Sequence, residues 1–74
     1  MDQKIEYIVV RFDLNDIRQV IANGLVAGKT EHICTIPGGQ YKITISGEGF
    51  TPPKWEGLIS GTEALKPLVI HFKK

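Results

Sequence analysis

DLNDIRQVIANG, residues 13–24, is the stretch on which the fold turns. Leu14, Ile17, Ile21 and Leu25 fall at helical spacing, with Asp13 placed as an N-cap and Gly24 as a stop. The same residues also read as a turn over Asp13 to Asp16, a strand through Val20 to Ala22 and a two-residue turn at Asn23-Gly24. Asn-Gly is the strongest short hairpin signal, because a type I′ turn needs positive φ at both central positions. The flanking sequence favours the hairpin, with a short helix or turn near residues 13–19 as the alternative.

Downstream of this stretch the chain alternates. Gly28-Lys29-Thr30 reads as a second turn. EHICTI (31–36) then sets His32, Cys34 and Ile36 on one face, and Pro37-Gly38-Gly39 breaks the chain sharply. QYKITIS (40–46) points Tyr41, Ile43 and Ile45 inward and Lys42, Thr44 and Ser46 outward, the pattern of a half-buried strand with one wet face. Gly47-Glu48-Gly49 turns the chain again. Neither proline of Thr51-Pro52-Pro53 can donate to a ladder. Lys54 to Ser60 reads as a short edge strand around Trp55, Leu58 and Ile59, and Gly61 to Pro67 as a loop. LVIHF (68–72) closes the chain with Leu68, Ile70 and Phe72 inward and His71 outward.

Upstream, KIEYIVVRF (4–12) is a strand with Ile8, Val10 and Phe12 on one face and Tyr7 and Val9 on the other. Its middle is apolar on both sides, which predicts a strand covered on both faces or one used in an assembly. The expectation is an all-β fold: a small single-domain sandwich of antiparallel strands over residues 1–74, with strands near 4–12, 19–23, 31–36, 40–46 and 68–72.

Composition agrees with one small globular core. The chain has 74 residues, 42% hydrophobic and 23% charged, too few for a second core. Nine basic and eight acidic residues leave a formal charge of +1, without the basic footprint that nucleic acid demands. MDQKIEYIVVRF lacks the unbroken apolar run of a signal peptide. No apolar run approaches the roughly 18 residues of a membrane span. A complete chain would then be cytoplasmic, and one excised from a longer protein would sit at a surface or outside the cell. The lone Cys34 cannot form an internal disulfide, so the domain stands on its core or on a partner.

Chemistry is looked for and not found. Gly24 to Thr30 (GLVAGKT) suggests a phosphate-binding loop, but only three residues separate its glycines where four are needed. His32, His71 and Cys34 have no metal-ligand spacing. Cys34 and His32 share one face of one strand, but that face is the core, with His32 expected as a hydrogen-bonded core-edge residue. No catalytic residue, metal or cofactor is expected. Phe50 is expected in the core, and Trp55, beside Pro53 and Lys54, is the best candidate for partial exposure. With Tyr41 these two are the candidate ligand or partner contacts.

The run VIANGLVAGKT followed by EHICTIPGGQYKITISGEGF (20–50) resembles a PEGA domain. The resemblance is carried by Asn23-Gly24, Gly28-Lys29-Thr30, His32 to Ile36, Pro37-Gly38-Gly39, Tyr41 to Ile45 and Gly49-Phe50. It implies a β-sandwich without catalytic residues, used as an accessory module of larger, often cell-surface, proteins. Its motif positions are turn and core residues, so no site carries over. The expected function is a non-catalytic binding or spacer module with a protein partner or a larger parent protein. The alternatives are a carbohydrate-binding module using Trp55 with Tyr41 or Phe50, and a small structural component of a virus or phage assembly.

Overall fold

A computed structural model describes residues 4–74. Its regular structure is β1 (Ile5–Arg11), β2 (Gln19–Ala22), β3 (Leu25–Lys29), β4 (Ile33–Pro37), β5 (Gly39–Ile45), β6 (Trp55–Ile59) and β7 (Leu68–His71). The strands form two sheets, in the orders β4-β1-β7 and β3-β2-β5-β6. Pairing is antiparallel except between β1 and β7, which run parallel. Successive side chains of a strand point to opposite faces, so alternate apolar residues line the space between the sheets. Ile8 and Val10 of β1, Val20 and Ala22 of β2, Cys34 and Ile36 of β4, Ile43 and Ile45 of β5, Ile59 of β6 and Ile70 of β7 are buried there, with Phe72 just beyond. Most are β-branched, the shape that packs best on a pleated surface, and each fully buried one is worth about 1.5–3 kcal/mol.

Residues 13–24 resolve as turn and hairpin. The Asp16 N–H donates to the Asp13 carbonyl at 3.0 Å. Asn23 and Gly24 have φ of 49° and 84°, the two positive values of a type I′ turn. The helical alternative fails on burial: Leu14 and Leu25, on its apolar stripe, are 71% and 75% exposed, while Val20 and Ala22, off that stripe, are in the core. The helical spacing was the coincidence of a strand flanked by two exposed leucines.

Three local expectations need correction. Gly28 and Lys29 are not a turn; β3 runs through both, and the chain turns at Thr30 and Glu31, where Glu31 takes φ of 66°. Gly28 is required by close approach instead, since a Cβ there would lie 2.5 Å from Cys34 Sγ. The left-handed Glu31 delays the next strand, so β4 starts at Ile33 rather than at residue 31. His32 therefore lies outside the strand and is exposed rather than inward, although its Nδ1 is 3.0 Å from the Thr30 carbonyl oxygen. The Pro37-Gly38-Gly39 break does hold: Gly38 alone carries the chain from one sheet to the other. β6 is the edge strand expected around Trp55. The absence of a signal-like run was read partly on Met1 to Gln3, which lie outside the described residues.

Candidate functional site

The outward face of the three-stranded sheet is apolar. Val9 pairs with Ile33 on β4 and with Val69 on β7, so one row across the sheet reads Ile33–Val9–Val69. The next rows pair Tyr7 with Thr35 and Ile5 with Pro37. Ile5, Ile33 and Val69 are 47%, 55% and 46% exposed, and Tyr7 and Val9 are half-buried. The solvent face of a half-buried sheet is ordinarily polar; on the other sheet the outward apolar residues Ile21, Val26 and Leu58 are interspersed with polar ones. There Lys42 pairs with Glu56 and Gln40 with Leu58 on the outward side, and a Lys54–Glu56 ion pair at 2.9 Å borders the edge.

A polar row closes one end of the apolar face. Arg11 and His71 are partners across β1 and β7, and the Glu31 N–H donates to the Val10 carbonyl at 2.8 Å. Arg11 Nε donates to Glu31 Oε1 at 2.5 Å, and the Phe12 N–H donates to Oε2 at 2.6 Å. Burial pushes the Glu31 carboxyl up, but the Phe12 N–H and the Arg11 guanidinium outweigh it and hold the group below its ordinary value. A cleft of about 450 Å³ opens beside this row, lined by Arg11, Phe12, Leu14, Glu31, His71 and Phe72 among others. Its acids are already partnered, Glu31 as described and Asp13 by Lys74 Nζ at 2.6 Å.

The three aromatics singled out from the sequence do not form one platform. Phe50 packs edge-on against Phe12 and Phe72, with ring centroids 6.4 and 5.5 Å apart, at the end of the core. Tyr41 and Trp55 lie on the inward side of β5 and β6, half-buried against the core. The Tyr41 hydroxyl donates to the Pro37 carbonyl at 2.6 Å, and the indole of Trp55 lies over Gly57. No aromatic contact joins Phe50 to either.

The other candidates fall into structural places. Cys34 Sγ lies 3.7 Å from the carbonyl oxygens of Lys29 and His32, burial pushes its pKa up, and the imidazole of His32 turns to Thr30 instead. Thr30 of the Gly-Lys-Thr run is buried, its hydroxyl accepting from the Arg18 N–H at 2.9 Å. Among the described residues, no three of His, Cys, Asp and Glu cluster as a metal site. What the sequence reading missed is the width of the apolar face. Tyr7 and Val9 were recognised as a second face of β1, but Ile33 and Val69 were not joined to them. The available signal was that each is an apolar residue out of phase with its strand's inward row.

Comparison with family models, curated proteins and solved structures finds no match. The candidate site therefore stands on its own geometry.

Proposed function

We propose that this domain is a non-catalytic binding module that docks a protein partner on the outward face of its three-stranded sheet. The observation that carries the reading is the row Ile33–Val9–Val69, extended by Tyr7 and Ile5, on the outward face of the sheet, with Ile5, Ile33 and Val69 exposed. Contiguous exposed apolar patches on small proteins mark interaction sites far more often than single exposed side chains do. The PEGA resemblance of residues 20–50 points the same way, toward an accessory module. A carbohydrate platform has less support, since Tyr41 and Trp55 spend much of their surface on the core and Phe50 lies apart.

The test is site-specific crosslinking in the cells that make the protein. A photoreactive residue replacing Ile33 is expected to yield a discrete adduct with one protein, lost when Val69→Asp is added. The same probe replacing Lys42, on the opposite outward face, should yield none. Equal crosslinking from both positions, or none from Ile33, rejects the reading. Emission of Trp55 unchanged by added sugars is expected in parallel, and a saturable shift would revive the carbohydrate alternative.

A further inference from the structure

The first and last strands of the chain are neighbours, and they run in the same direction. Ile8 pairs with Leu68, Val9 with Val69, Val10 with Ile70 and Arg11 with His71. In a parallel pair the chain enters one strand at the end opposite to where it leaves the other. The chain therefore enters β1 at one end of the β1–β7 pair and leaves β7 at the other. From this geometry we infer that the β1–β7 ladder is the mechanical clamp of the domain, loaded in shear by tension applied between its two ends. The inference goes beyond the docking reading and uses neither Ile33 nor the exposed face.

Shear and peeling differ in how the bonds share a load. When the pulled ends of two strands lie side by side, force concentrates on the first hydrogen bond, and the bonds break one after another. When the pulled ends lie at opposite ends, all the bonds between the strands must stretch together before any gives way. β7 is an edge strand, joined within its sheet to β1 alone, so this single ladder decides the strength. One contact beyond the strands lengthens it, and others anchor its two ends. At the exit end, the Phe72 N–H donates to the Arg11 carbonyl at 2.9 Å, and Lys73 exchanges two backbone hydrogen bonds with Thr51, at 2.6 and 2.8 Å. At the entry end, the Gly38 N–H donates to the Lys4 carbonyl at 2.9 Å. β1 is also held on its other flank by β4, from Ile5–Pro37 to Val9–Ile33. Tension on β1 is thereby shared with the sheet instead of drawing the strand out alone.

Single-molecule pulling tests this with one protein gripped in two ways. A Lys66→Cys/Cys34→Ala variant carries a tag at each terminus. It is pulled first between the two tags, then between the N-terminal tag and the introduced thiol, which sits just ahead of β7 and so peels it from β1. Both grips use the same molecule, so its stability cancels. Because forced rupture follows the unfolding barrier along the pulled direction, the end-to-end grip should need roughly twofold or more force at equal speed. If this variant does not fold, Lys66→Cys alone supplies the same grip, because the Cys34 thiol is buried out of reach. Equal or lower force end to end overturns the inference. Failure of the Ile33 crosslink, by contrast, would remove the docking reading and leave the force ratio untouched.

Discussion

Glu6 is an acid in an apolar row. It occupies the inward position two residues before Ile8 and is 2% exposed, where an unpartnered carboxylate would be costly. Thr62 resolves the conflict: its hydroxyl and its N–H both donate to Glu6 Oε1, at 2.6 and 2.8 Å, and the hydroxyl oxygen accepts from the Tyr7 N–H at 2.7 Å. The Thr62 hydroxyl, then its N–H, and more weakly Lys4, hold the Glu6 carboxyl below its ordinary value against the opposing effect of burial. A carboxyl depressed in the folded state adds stability that is complete above its unfolded pKa and disappears as pH falls through the folded one. The urea midpoint should therefore drop on acidification below about pH 4. Glu6→Gln should be less stable at neutral pH and show a shallower acid decline, since Asp13, Glu31 and Glu56 still contribute theirs. Parallel acid declines in the two proteins would show that the Glu6–Thr62 contact does not survive in solution.

At the scale of elements, Arg18 fastens two loops to each other. Its Nε and Nη2 donate to Asp16 Oδ2 at 3.2 and 2.9 Å, and its Nη1 donates to the carbonyls of Ser46 and Glu48 at 3.1 and 2.7 Å. The guanidinium also stacks over Phe12, 4.6 Å from the ring centroid. The segment entering β2 is thereby tied to the turn leaving β5, above the Phe12–Phe50–Phe72 cluster. Charge-assisted hydrogen bonds of this kind contribute about 1.5–3 kcal/mol each at most. Arg18→Ala should lower stability by an amount in that range and speed amide exchange over residues 46–50 before the β5 core amides are affected. Uniform exchange across both regions would mean the turn has no separate mobility to restrain. Nothing in the sequence announced this residue, because its partners are backbone carbonyls some 30 positions away. The strands were legible wherever the inward period was unbroken, as at Tyr41, Ile43 and Ile45, and the Asn23-Gly24 turn was legible because its backbone demand is local. β3 was not. Leu25 and Val26 are both largely exposed and Gly28 answers to Cys34 across the fold, so LVAGK carries no alternation to read. The apolar outward face was half visible, since pairing between β1, β4 and β7 is a long-range fact that no single strand's pattern contains.

For the whole molecule the margin is narrow. Natural domains hold about 0.05–0.15 kcal/mol per residue, which for a chain of 74 residues is only on the order of 4–11 kcal/mol. Ile43 is completely buried at the centre of β5, and truncating such a residue costs roughly 2–5 kcal/mol. Ile43→Ala should therefore remove a large share of that margin and lower the melting temperature, read by circular dichroism on heating. An unshifted melting curve would place Ile43 outside the core. Cys34 gives the same margin a second meaning. The residue is 3% exposed, with its sulfur against Gly28 of β3, so an aromatic disulfide reagent cannot reach it while the two sheets are closed. The rate at which such a reagent colours the solution is the intrinsic thiol rate multiplied by the fraction of time the molecule spends open. The protein thus carries its own clock for breathing, readable without a label, a denaturant or a mutation.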